Sequence, residues 1–175
     1  MVSEIADILI KYGAIEFGDF TLASGAKSTY YIDIKTASTN PALLSAIGSE
    51  IAKIAEKFDF DVIAGVAVGA VPIAVSVSLS SKKPYCIIRK EKKDHGISDN
   101  IIGDVKGKHV LLVEDVVTSG GSVIYGIEQL RKAGATADTV VAVVDREQGG
   151  CENLKKNNTK LYSLVRASEI LNKSA

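Results

Sequence analysis

An α/β domain on a parallel sheet is the fold class this sequence predicts, and three observations predict it. From Asp61 onward, apolar strand-like runs at 62–68, 85–88, 110–113, 139–144 and 160–165 alternate with helical or irregular segments. That succession builds a parallel sheet with right-handed crossovers. Next, 46% of the 175 residues are hydrophobic, enough to bury a sizeable core within a length that fits one domain. Finally, Val110-Leu111-Leu112-Val113 ends in Glu114-Asp115 and is followed by a Thr/Ser/Gly turn and an apolar-periodic segment at 123–130. This reads as strand, loop and helix start. In such folds the ligand site lies beyond the carboxyl ends of the strands.

In chain order, residues 3–12 carry Ile5, Ile8 and Leu9 on one face and stop at Gly13, which predicts an amphipathic helix. Segments 17–22 and 30–34 alternate as strands around Ser24-Gly25-Ala26-Lys27-Ser28, a hairpin rather than a βαβ unit. A helix begins at Asn40, with Pro41 at its first position and Leu44, Ile47, Ile51 and Ile54 along one side. Strand 62–68, helix 72–79 and strand 85–88 follow, and His109 opens the central strand as a structural residue. The longest break, 90–108, is expected to be a loop within the domain and not a boundary. Glu114, Asp115, Arg146 and Arg89 are expected just past strand ends, at one mouth of a cleft.

Composition excludes several classes. Zero formal net charge argues against a general nucleic-acid or membrane-surface binder, so any basic site is local. Residues 2–10 carry Glu4 and Asp7 and lack a basic start and a cleavage pattern, which argues against a signal peptide. No apolar run of about 18 residues is present to span a membrane. Cys86 and Cys151 lack metal-type spacing and fit a reduced, cytoplasmic interior.

The turn from Thr118 to Ser122 has the means to hold an anion. The first amides of a helix lack intrahelical partners and the helix dipole is positive there. Two adjacent carboxylates would repel a phosphate, so Glu114 and Asp115 should face neutral hydroxyls that donate to them. A ribose 5-phosphate offers both groups. The plainer alternative is a turn capped by Thr118 or Ser119 with both acids solvated. No Gly-Lys-Ser/Thr and no G-x-G-x-x-G occurs, which argues against a Walker loop and a dinucleotide site.

The run Val113-Glu114-Asp115-Val116-Val117-Thr118-Ser119-Gly120-Gly121-Ser122 closely resembles the phosphoribosyl-diphosphate (PRPP) motif of type I phosphoribosyltransferases. A second run, Arg89-Lys90-Glu91-Lys92-Lys93-Asp94-His95-Gly96, packs four cations and a histidine into eight residues. By itself it could be a solvated charge run, but it is similar, nearly residue for residue, to the catalytic loop of orotate phosphoribosyltransferases. The resemblance implies a mostly parallel central sheet flanked by helices, a small N-terminal hood (about 1–38), a core (about 39–175) and a flexible catalytic loop in one domain, 1–175. It implies a homodimer with shared active sites, Arg89 being contributed by the other chain.

By the same resemblance, Lys93, Asp94 and His95 are catalytic. Arg89, Lys90, Lys93, His95, Glu114, Asp115, Val116, Val117, Thr118, Ser119, Gly120, Gly121 and Ser122 bind PRPP, and Thr118 and Arg146 bind orotate. Arg146 suits a bidentate pair with a carboxylate better than Lys would. The hood motif runs from Phe17 to Tyr31, and Gly65-Val66-Ala67-Val68-Gly69-Ala70-Val71-Pro72 resembles the loop on which the diphosphate lies. Many members have Lys where this chain has Ala23, and some have Tyr-Lys at Val68-Gly69, so two cationic contacts are missing.

The implied activity is transfer of the 5-phosphoribosyl group from PRPP to orotate, giving orotidine 5′-monophosphate and diphosphate in pyrimidine biosynthesis, with Mg²⁺ bound mainly through PRPP. No protein nucleophile is called for, and positioning and electrostatics carry such a reaction. A PRPP- or base-sensing regulator on the same fold, and a purine phosphoribosyltransferase, are the alternatives.

Overall fold

The computed structural model describes residues 3–21, 25, 27–90 and 100–173. Its elements begin with α1 (Ser3–Lys11), β1 (Ile15–Thr21), β2 (Lys27–Ile32), α2 (Ile34–Ala37), α3 (Pro41–Ala55) and β3 (Val62–Val66). They continue with α4 (Ala70–Ser81), β4 (Tyr85–Ile88), β5 (Ile101–Ile102), β6 (His109–Val117) and α5 (Gly121–Lys132). The last are β7 (Thr136–Asp145), α6 (Gly150–Lys156), β8 (Lys160–Arg166) and α7 (Ala167–Lys173).

Strands β1 and β2 form a two-stranded antiparallel sheet, and the other six form one sheet in the order β5-β4-β3-β6-β7-β8. Every neighbouring pair in the larger sheet is parallel except β4 with β5. From the adjacent pair β3 and β6 the chain winds in opposite directions, through α4 to β4 and through α5 to β7. That divergence opens a crevice at the carboxyl ends of β3 and β6, the place where open α/β sheets bind ligands.

Alternation along the strands divides the core. Leu111, Val113, Val141 and Val143 face one side with Ile5, Leu9, Ile47, Ile51, Ile73 and Ile170. Val110, Leu112, Val140 and Ala142 face the other with Val123, Ile127, Leu130 and Leu154. A strand buried on both faces has apolar residues at every position, as β3 does. Helix α3 starts as its sequence predicts: Asn40 Oδ1 accepts from the amides of Ala42 and Leu43, and Pro41 takes the first turn. It packs closely on α4, where a Cβ at Gly48 would stand 2.8 Å from the Ser76 backbone. There the Ser76 hydroxyl donates to the Leu44 carbonyl at 2.8 Å.

The structure shifts several expected boundaries. The central strand runs on to Val117, because Val116 and Val117 still pair with Val144 and Asp145. Glu114 and Asp115 are therefore strand residues and not past its end. Strand β3 ends at Val66 rather than 68, and β2 ends at Ile32, leaving Ile34 to start α2. The stretch expected as loop contains β5, which pairs Ile101 and Ile102 with Ile88 and Ile87. No helix of the described residues is long and apolar enough to cross a membrane.

Candidate active site

Strand β6 carries its two acids into the crevice, and both are buried, Glu114 at 4% and Asp115 at 8% exposure. The alternative of two solvated carboxylates is thereby removed. Part of their charge is met locally: Glu114 Oε1 accepts from the Asp115 amide at 3.1 Å, and Asp115 Oδ1 from the Val116 amide at 2.8 Å. Glu114 Oε2 is buried and has no partner. Burial first, then the neighbouring Asp115 carboxyl, pushes Glu114 up to about 8, although the Asp115 amide and the Ser122 hydroxyl act the other way. An orphaned buried oxygen of this kind is a place for a ligand hydroxyl or a bound water.

The turn after β6 is built by backbone. Gly120 precedes α5 with φ 85°, a left-handed conformation that favours glycine, and no side chain caps the helix. The expected alternative of a Thr118 or Ser119 cap therefore fails, and the first amides of α5 are left without a side-chain cap. The turn rests on α6. A Cβ at Gly150 would stand 2.5 Å from Val117 Cγ1 and 2.6 Å from the Thr118 carbonyl oxygen, so only glycine lets α6 come this close. Asn153 Nδ2 then donates to the Ser119 carbonyl at 3.0 Å.

Two cavities meet along Lys35, Asp115 and Val116. One, about 210 Å³, is bordered by Val66 to Gly69, Lys90, Glu114 and Ser122. The other, about 410 Å³, is bordered by Tyr31, Asp33, Thr36 and Thr118 and opens toward the hairpin. The peptide bond between Ala67 and Val68 in the first is cis. A larger cavity of about 820 Å³ lies behind Lys90, between Asn100 to Lys106 and α5, and contains neither buried acid.

Arg146 follows β7 beside the turn. Its amide donates to the Val117 carbonyl at 2.9 Å, its guanidinium lies 5.2 Å from the Tyr30 ring centre, and its Nε is buried without a partner. The residues on either side of it are fixed. Asp145 Oδ1 accepts from the Glu147 amide at 2.9 Å, and Glu147, at φ 56°, accepts from the Ser168 amide at 2.7 Å. The Ser168 amide holds the Glu147 carboxyl below its usual range.

Of the residues expected in the site, Glu114, Asp115, Val116, Ser122 and Lys90 border one cavity and Thr118 the adjoining one. Arg89 stands just after β4, its amide donating to Asn100 and its carbonyl accepting from the Tyr125 hydroxyl. Lys93, Asp94 and His95 lie outside the described residues, as does Ala23. Sequence reasoning missed Lys35, Tyr30, Gly150 and Asn153. Tyr30 stands in the hood motif given above, but nothing local marks its contact or that of Gly150.

A model of the phosphoribosyl transferase domain matches residues 34–164. An orotate phosphoribosyltransferase of Methanoculleus marisnigri is 62% identical over 171 residues, 98% of this chain and 99% of the relative. Another, from Methanocorpusculum labreanum, is 61% identical with the same coverage. Among solved structures, the orotate phosphoribosyltransferase of Aeropyrum pernix is 34% identical with a TM-score of 0.79 over 97% of each chain. That of Mycobacterium tuberculosis, in complex with Fe(III) dicitrate, is 26% identical with a TM-score of 0.85, covering 97% of this chain and 98% of the other. The buried acid pair, the uncapped glycine turn and near full-length identity above 60% thus converge: the chain belongs to the phosphoribosyltransferase family, and within it to the orotate phosphoribosyltransferases.

Proposed function

We propose that this protein transfers the 5-phosphoribosyl group of PRPP to orotate, in the formation of orotidine 5′-monophosphate and diphosphate. The observation that carries the assignment is the buried Glu114–Asp115 pair at the floor of a crevice whose next turn is an uncapped helix start. The turn from Thr118 to Ser122 receives the 5-phosphate on backbone amides. Glu114 and Asp115 accept from the ribose 2- and 3-hydroxyls. Arg146, steadied over Tyr30, meets the orotate carboxylate beside Thr118.

In the reaction the bond from the anomeric carbon to the diphosphate oxygen breaks, one forms to the ring nitrogen of orotate, and the proton of that nitrogen is released to diphosphate or solvent. The electron pair leaves with diphosphate while positive charge builds on the ribose. The ribose-facing carboxylates and the fixed orientation of the base lower this barrier by electrostatics and positioning. Lys90, Lys93 and His95 offset charge on the leaving diphosphate, Asp94 orients their loop, and the loop excludes water. Support for that loop is its near residue-for-residue likeness to the family's. Magnesium, which favours oxygen ligands and keeps waters, would enter on PRPP and neutralise the diphosphate. Glu114 Oε2, a buried oxygen without a partner, fits one of those waters or a ribose hydroxyl.

The chain acts as one phosphoribosyltransferase domain, in a homodimer whose subunits share the catalytic loop, and in the cytoplasm, where Cys86 and Cys151 remain free thiols. The test is orotate absorbance with PRPP and Mg²⁺, wild type beside Lys93→Ala and Arg146→Ala. Orotate consumed only with both additions, and slowed in both variants, is the expected result. PRPP binding by calorimetry without turnover would replace the enzyme by a sensor.

A further inference from the structure

Gly69 has φ −63° and ψ −38°, a conformation open to any residue, so its lack of a side chain has a spatial reason. A Cβ there would stand 2.9 Å from Lys35 Cε and 2.5 Å from Asp115 Oδ2. The Lys35 side chain thus reaches from α2, on the hairpin side, across the crevice to the 67–69 loop. It borders both cavities and, with Lys90, is one of two cations among the described residues bordering the smaller one.

Its backbone is held. Asp33 caps α2, accepting from the Thr36 amide at 3.0 Å and the Thr36 hydroxyl at 2.7 Å, and the Asp33 amide donates to the Ala14 carbonyl. Among the described residues Lys35 forms no ion pair, the pairs being Lys53–Glu50 and Lys108–Asp104. A lysine whose backbone is held and whose ammonium makes no ion pair among the described residues, beside two buried carboxylates and a backbone loop, is set to meet an anion that enters between them.

PRPP brings two anionic groups and orotate a third. The turn before α5 takes one and Arg146 another, while the 67–69 loop by itself offers no cation. We propose that Lys35 binds the diphosphate group of PRPP, its ammonium lying between the 67–69 loop and Asp115. The assignment rests on the proposed phosphoribosyl transfer. The base side already has Arg146, whose buried Nε is unpartnered, and the Gly69 contact places Lys35 Cε at the loop end of the crevice.

The experiment uses Lys35→Met and Lys35→Arg in the full chain. It reads KM for PRPP and orotate forward, KM for diphosphate and orotidine 5′-monophosphate in reverse, and binding of diphosphate with Mg²⁺ by calorimetry. Lys35→Met is expected to raise KM for PRPP and for diphosphate by roughly tenfold or more, as loss of a charge-assisted hydrogen bond does. KM for orotate and for the nucleotide should stay within about twofold, and Lys35→Arg should recover most of the loss. Unchanged diphosphate KM and binding, or a shift confined to orotate and its nucleotide, would overturn the proposal. Lys35 is exposed, and a thermal melt close to wild type separates its effect from misfolding. If wild type fails to turn over orotate, the transferase reading falls, whereas a diphosphate affinity lost in Lys35→Met would still uphold this one.

Discussion

Replacing Glu114 by Gln is expected to stabilise the free protein while weakening the enzyme. Glu114 is buried, keeps one oxygen without a partner and is pushed up to about 8 from 4.5. In the unfolded chain it is ionised at pH 7; in the folded chain it holds its proton. The folded state therefore binds more protons between these values, and stability falls as pH rises from 4.5 to 8. The interval from 4.5 to 7, at about 1.4 kcal/mol per pH unit, amounts to about 3 kcal/mol. Gln keeps the shape and the acceptor for the Asp115 amide and carries no such penalty.

Chemical denaturation should show Glu114→Gln more stable by roughly 2–3 kcal/mol at pH 7, or about 5–10 °C in Tm for a chain of this size. The difference should vanish toward pH 4.5. Turnover should fall, because a neutral amide meets the ribose hydroxyls or a metal-bound water more weakly, by about 10- to 100-fold in kcat/KM for PRPP. Equal stability of wild type and variant at pH 7, or a gain that persists unchanged at pH 4.5, would refute the account of Glu114 as a carboxyl held against burial.

Other outcomes follow from the same geometry. Binding of PRPP with Mg²⁺ near pH 7 should release a proton as Glu114 ionises, read as a dependence of calorimetric enthalpy on buffer ionisation that is lost in Glu114→Gln. Tyr30→Leu should raise KM for orotate by about 2- to 5-fold, the loss of one cation–π contact to Arg146, while Tyr30→Phe should leave it nearly unchanged. Gly150→Ala, which sets a Cβ against Val117 and the Thr118 carbonyl, should lower stability by about 1–3 kcal/mol and raise KM for PRPP. In the native protein a thiol reagent at pH 8 should label exposed Cys151 and spare Cys86, which is buried and pushed up to about 12; two fast equivalents would contradict that burial.

What the sequence revealed was what is contiguous in it. The strand, acids and turn of 110–122 are one uninterrupted run, so their chemistry was visible without a fold, and Asn40-Pro41 marked a helix start by local hydrogen bonding alone. In the sequence the acids read as the end of the strand because a carboxylate normally stays in water. Pairing of Val116 and Val117 with β7 carries the strand onward and takes the acids inside. Strand β5, of two residues, is too short to show a period, and its partner is β4. Lys35, Tyr30 and Asn153 act on residues 34 to 116 positions away. Only the fold brings them to Gly69 and Asp115, Arg146 and Ser119.

The topology explains why these distant contributions converge. Because β3 and β6 are neighbours whose crossovers wind apart, their two loops cannot cover each other, and the crevice between them must be closed from elsewhere. One side is closed by α6, which reaches the turn only because position 150 has no side chain. The other is closed from the hairpin: the Asp33 amide is tied to Ala14, α2 begins at once, and Lys35 reaches back over Gly69. The two glycines have the same purpose at opposite walls, a missing Cβ that admits a neighbouring element. One admits backbone and so fixes the turn before α5, while the other admits a charged side chain and so brings the Lys35 cation from α2 to the crevice.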